Sequence, residues 1–99
     1  AAADRVKVDA TAQQFGFTLS QSTFKVGQQI EFKVLSKDVS HGFAVFDPKG
    51  AFVTQAQSLP DYATVLRMTP HMAGTYVIRC FEYCGVGHHK MVGAFEVKS

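Results

Sequence analysis

Gln29-Ile30-Glu31-Phe32-Lys33-Val34 alternates polar and apolar side chains without a break. An extended backbone sends successive side chains to opposite faces. The segment therefore reads as a strand with Ile30, Phe32 and Val34 turned inward and Gln29, Glu31 and Lys33 turned to water. The same alternation appears on both sides of it. Val6 and Val8 alternate with Arg5, Lys7 and Asp9, and Phe95 and Val97 alternate with Glu96 and Lys98. Gly42-Phe43-Ala44-Val45-Phe46, Tyr62 to Met68 and Thr75-Tyr76-Val77-Ile78 are strand-like but less regular, as expected of strands covered on both faces. Turn residues separate these runs at Val26-Gly27-Gln28, Asp47-Pro48-Lys49-Gly50, Leu59-Pro60-Asp61 and Thr69-Pro70-His71-Met72-Ala73-Gly74. No window of about a dozen residues keeps an uninterrupted helical apolar pattern. Roughly six or seven short strands at this spacing predict an all-β fold, an antiparallel Greek-key sandwich or barrel.

The chain has 99 residues, 46% hydrophobic and 18% charged, which predicts one compact domain over residues 1–99 with a single modest core. Nine Phe and three Tyr supply the bulk of that core, and Trp is absent. The hydrophobic fraction is too high, and the net charge of +2 too low, for a disordered chain. Lys and Arg are scattered from Arg5 to Lys98, so no basic cluster suggests nucleic acid. No run approaches the ~18 apolar residues of a membrane helix, and no signal-peptide pattern opens the chain. Ala1-Ala2-Ala3-Asp4 reads as a trimmed or processed end.

The chemistry is concentrated in Cys80-Phe81-Glu82-Tyr83-Cys84-Gly85-Val86-Gly87-His88-His89-Lys90-Met91. Two thiols, an imidazole and a thioether lie together here, between two strand-like runs. Thiolate and thioether are soft donors suited to copper, and imidazole completes such a set. Gly85 and Gly87 let the backbone turn tightly enough for those donors to converge. A further imidazole, His41, stands upstream in Asp38-Val39-Ser40-His41-Gly42-Phe43. A remote His with a local Cys, His and Met loop is how a β-sandwich pins a copper site to its sheet.

A single copper ion needs only one of the two cysteines. In a small exported domain the pair Cys80 and Cys84 also reads as a disulfide. Alternatively, two thiolates bridge two copper ions in a four-membered Cu–S–Cu–S ring. His41 and His88 then serve as terminal ligands, Met91 as a weak axial donor, and the Glu82 backbone carbonyl as the other axial donor. His71 and His89 read as solvent-facing or supporting residues, and Met68 and Met72 as core or surface apolar residues. Asp38 reads equally as an orienter of the His41 loop and as a strand-end turn residue.

Cys80-x-Glu82-x-Cys84-Gly85-x-x-His88-x-x-Met91, with Asp38-Val39-x-His41-x-Phe43 upstream, resembles the dinuclear copper A (CuA) domain of subunit II of haem-copper cytochrome c oxidases. The likeness runs from Gln14-Phe15-Gly16-Phe17 to the last strand and is greatest to the short bacterial B-type subunit. It implies a cupredoxin fold on the outer, periplasmic face of the cytoplasmic membrane. It implies two copper ions bridged by Cys80 and Cys84, with His41 and Met91 completing one ion, and His88 and the Glu82 carbonyl the other. It also implies one-electron transfer from cytochrome c or a similar donor to haem in subunit I. The Glu82 side chain would face subunit I. The family's tryptophan-rich stretch has no counterpart here, and Phe15 and Phe17 stand where it would begin. The family's membrane anchor is likewise missing, which suggests an excised soluble domain.

Other functions compete with this one. A mononuclear blue-copper cupredoxin would use one cysteine and bind one copper. The copper domain of nitrous oxide reductase shares the cluster but carries Trp between the cysteines, where this chain has Glu82. A copper chaperone of thioredoxin-like fold needs βαβ helices, for which no segment is a candidate. A Cys84–His88 hydrolytic dyad lacks an oxyanion-hole pattern or a third group.

Overall fold

A computed structural model describes residues 5–13, 16–37, 41–80 and 92–99. Nine strands lie among them: β1 (Val6–Gln13), β2 (Gly16–Leu19), β3 (Thr23–Lys25), β4 (Ile30–Ser36), β5 (His41–Phe46), β6 (Phe52–Ser58), β7 (Thr64–Met68), β8 (Gly74–Arg79) and β9 (Val92–Lys98). They form two sheets, one in the order β2-β1-β4-β7 and the other β3-β9-β8-β5-β6. The all-β expectation holds, and the sandwich is found rather than a closed barrel. No helix among the described residues is long and apolar enough to cross a membrane.

Two expectations need correction. The strands exceed the expected number, because β2, β3 and β6 lie in segments without clear alternation. The sheets are also not purely antiparallel. β1 runs parallel to β4, with Val6 opposite Ile30 and Ala12 opposite Ser36, and β3 runs parallel to β9. Parallel neighbours need a crossover connection. The chain provides it by sending β3 into the second sheet between β2 and β4.

The alternation in the sequence is met where one face looks into the sandwich. Ile30, Phe32 and Val34 are each fully buried, whereas Lys33 is exposed. Phe95 and Val97 are buried between exposed Glu96 and Lys98. In β5, Gly42, Phe43, Ala44 and Val45 are all buried, as a strand covered on both faces should be. β7 departs from that expectation: Val65 is 49% exposed and Tyr62, ahead of the strand, 71%. The reason is position, since β7 is an edge of its sheet.

Between the sheets lies a core built on aromatic rings. Phe24, Phe32, Phe43 and Phe95 meet edge-on or tilted at centroid distances of 5.5–6.4 Å, and Tyr76 stacks on Phe95 at 5.1 Å. Each such contact contributes about 0.5–1.5 kcal/mol beyond area burial. The outer face of the first sheet is mixed, with Leu35 and Val65 exposed beside a charged group in which Glu31 is held by Arg67 at 2.9 Å and Arg5 at 3.8 Å. Exposed pairs of this kind add little stability.

Candidate metal centre

The antiparallel ladder between β5 and β8 pairs Phe46 with Val77, Val45 with Ile78 and Ala44 with Arg79. Running antiparallel, the start of β5 therefore meets the end of β8. His41 opens β5, where its backbone pairs with Ser58 of β6, and Cys80 directly follows β8. Residues 39 positions apart in the sequence thus reach the same end of the second sheet. The Gly42 N–H donates to Cys80 Sγ at 3.4 Å. An amide aimed at sulfur is the kind of supporting contact that orients a sulfur ligand.

Cys80 is 8% exposed and lies against Ala12 at the end of β1 and Phe17 of β2. Phe17 also packs edge-on against Phe43, with centroids 5.6 Å apart and rings at 88°. The backbone of Gly93 in β9 closes on the same ring, so that a Cβ placed there would lie 3.0 Å from Phe17 Cβ. The thiol therefore has both sheets around it and an apolar wall. Sequence reasoning missed Gly42, Ala12 and Gly93 as parts of this environment. Only Gly93 carried a signal, because glycine inside a strand marks the close approach of another group.

Glu82, Cys84, His88 and Met91 lie outside the described residues, as do Asp38, Phe15 and His89. The structure does define both ends of the segment that carries the four predicted ligands. β8 and β9 pair up to Arg79 opposite Val92, so residues 80–91 leave and rejoin one rung. That rung adjoins β5 through Ala44. Among the described residues, no three His, Cys, Asp or Glu side chains group to hold a metal. A buried sulfur with an amide donor, placed beside the strand that begins with His41, fits a soft metal ion such as copper. His71 is exposed on the segment between β7 and β8, at the opposite end of the sandwich, in keeping with its reading as no ligand of this centre.

No family model matches the chain. It is 37% identical over 84 residues to cytochrome c oxidase subunit 2 of Thermus thermophilus, an alignment that covers 85% of this chain and 59% of the relative. The chain belongs to the cytochrome c oxidase subunit 2 family. It spans about half the length of the curated subunit 2 relatives it matches. A heme-copper terminal oxidase dimer solved by cryo-electron microscopy contains a chain superposing with a TM-score of 0.81 at 28% identity, over 95% of this chain and 64% of that one. The periplasmic domain of cytochrome oxidase subunit II from Bradyrhizobium japonicum superposes with a TM-score of 0.76 at 19% identity, over 93% and 83% of the two chains. Auracyanin A from Chloroflexus aurantiacus, a blue copper protein, reaches 0.68 at 18% identity over 95% and 99%. The last two likenesses establish the cupredoxin fold of this chain. That fold houses copper sites of more than one kind, so the ligand set must distinguish them.

Proposed function

We propose that this chain is the electron-accepting domain of a haem-copper oxidase, with two copper ions held by His41, Cys80, Cys84, His88, Met91 and the backbone carbonyl of Glu82. On this reading Cys80 and Cys84 serve both ions, His41 and Met91 complete the set at one, and His88 and the Glu82 carbonyl complete it at the other. Such a pair, sharing one unpaired electron, supplies one-electron storage with small changes in bond length. The protein's own part is positional. The β5–β8 ladder holds the start of β5 against the end of β8, Gly42 orients the Cys80 sulfur, and Ala12 and Phe17 keep water from it. The donor is cytochrome c or a similar carrier and the acceptor is haem in subunit I, on the periplasmic side of the membrane. Oxygen reduction belongs to the partner subunit.

The observation that carries this reading is the buried Cys80 sulfur on the Gly42 amide, one residue from His41. Copper content and the electron paramagnetic resonance spectrum of the oxidised protein test it. Two coppers per chain, with hyperfine structure from one electron shared over both nuclei, are expected. One copper with a single-nucleus pattern would mean a mononuclear cupredoxin and overturn the proposal. Cys84→Ser is expected to abolish the shared-electron spectrum. Met91→Leu should keep both coppers while shifting the potential, as suits a weak axial donor.

A further inference from the structure

The far end of the sandwich holds a second group of soft donors. Met68 ends β7, and His71 and Met72 lie on the segment leading to β8. All three line one cavity of about 130 Å³, together with Asp47 and Tyr76. The donors differ in exposure, since Met68 is 7% exposed, Met72 half-buried and His71 in contact with solvent.

The segment that presents them is held in place. Pro70 is buried, and its carbonyl accepts from the Gly27 N–H at 2.9 Å. The Met72 carbonyl accepts from the Tyr76 hydroxyl at 2.9 Å. The two side chains of residues 71 and 72 thus project from a backbone fixed on both sides, which lowers the entropy lost when they close on a ligand.

We propose that this cavity binds one cuprous ion through the thioethers of Met68 and Met72 and the imidazole of His71. The donor types select the metal. Thioethers discriminate against hard cations and favour Cu(I), and a single imidazole is compatible with it. Asp47, the carboxylate on the wall, has one oxygen engaged elsewhere: its Oδ1 accepts from the Lys49 and Ala51 N–H groups at 2.9 Å each and shapes the turn after β5. The site is separate from the Cys80 end. β5 runs from His41 to Phe46 just before Asp47, and β8 runs from Gly74 toward Cys80, so at ~3.3 Å per residue the two places are roughly 20 Å apart. The proposal therefore stands independently of the reading of the Cys80 centre, and its test can be run with that centre removed.

The test uses Ag(I), a redox-inert probe for Cu(I), added to the full chain carrying Cys80→Ser and Cys84→Ser. The sequence contains three methionines, Met68, Met72 and Met91, so nuclear magnetic resonance of their ε-methyl groups distinguishes the two ends of the molecule. Silver is expected to shift the Met68 and Met72 methyls and the His71 ring signals in saturable fashion. His71→Gln and Met72→Leu should each weaken binding at this site at least tenfold. Met72→Leu preserves apolar bulk, so an unchanged melting curve would exclude unfolding as the cause of lost binding. In the copper-loaded wild-type chain, one further equivalent of Cu(I) should be held against bicinchoninate, and His71→Gln should release it. Unmoved Met68 and Met72 methyls at saturating silver, or undiminished affinity in the His71→Gln, Met72→Leu double variant, would overturn the proposal.

Discussion

The two ends of the second sheet are closed in different ways. At the far end the backbone closes itself. Asp47 caps the turn between β5 and β6, with the Gly50 N–H donating to its carbonyl at 2.8 Å, and the Met72 carbonyl is met by Tyr76. Gly74 lies flush against Pro48. At the near end the β8–β9 ladder stops at Arg79 and Val92, and the Gly42 amide turns to a sulfur instead of a carbonyl. Among the described residues, side chains pack this end, with Phe17 wedged between Phe43, Cys80 and the bare backbone of Gly93. Backbone groups at the far end are satisfied within its own turns, whereas at the near end a backbone amide is spent on orienting a side-chain donor.

Phe43→Ala should break this contrast most severely, because the ring spans both regions. It is fully buried and touches Phe17 on one side and Phe32 on the other. Truncation of a buried phenylalanine costs about 3–5 kcal/mol. Denaturant unfolding is expected to show that loss, accompanied by weaker copper retention. Full stability in this variant would mean that the core is not organised around the ring.

The two glycines provide a sharper comparison, one at each end. A Cβ at Gly74 would lie 2.7 Å from Pro48 Cγ, and its φ of 134° strains any L side chain. Gly74→Ala is expected to cost on the order of 2–4 kcal/mol while leaving the reactivity of the Cys80 thiol unchanged. Gly93→Ala meets a milder contact of 3.0 Å with Phe17 Cβ and should cost about 1–2 kcal/mol. Its effect on the site should be the larger one, since displacement of Phe17 uncovers Cys80. Thiol modification rates of the metal-free chain, in a Cys84→Ser background, separate the two. Equal rates in both glycine variants would dissolve the distinction between the ends.

The smallest expected effect belongs to Tyr76. Burial, followed by the nearby Asp47 carboxylate, raises its phenol above the ordinary value of 10.0. The neutral phenol is therefore favoured in the folded state. That contribution is complete below pH 10 and is lost as the pH rises through the folded value. Tyr76→Phe removes the bond to the Met72 carbonyl and should cost about 1 kcal/mol near neutral pH. Above pH 10 the variant should lose stability less steeply than the parent, which melting curves across that range would measure. Identical slopes would show that another group governs the alkaline limb.

Much of the fold was legible because alternation is a local property. Ile30, Phe32 and Val34 point inward whatever strand lies beside them, and the same holds for Phe95 and Val97. Three of the four edge strands, β2, β3 and β6, were not legible. β6 begins with Phe52, 56% exposed, and Val53, 39% exposed, so its composition does not mark an inner face. The parallel pairing of β1 with β4 was hidden for a related reason: alternation assigns a strand its faces but not its neighbours.

For the site, local spacing pointed to residues 80–91, and the resemblance of Asp38-Val39-x-His41-x-Phe43 to the copper A motif nominated His41 as their distant companion. The sequence by itself determined the kind of donors, the inner faces of the regular strands and the punctuation between them, since each depends on residue type and near neighbours. Only the tertiary structure decided that His41 and Cys80 share one end of a sheet, that the Gly42 amide meets the sulfur, and that Phe17 rests on Gly93. Those facts depend on strand order and register across dozens of residues. They follow from how two sheets bury a common core, a property of the whole chain rather than of any segment.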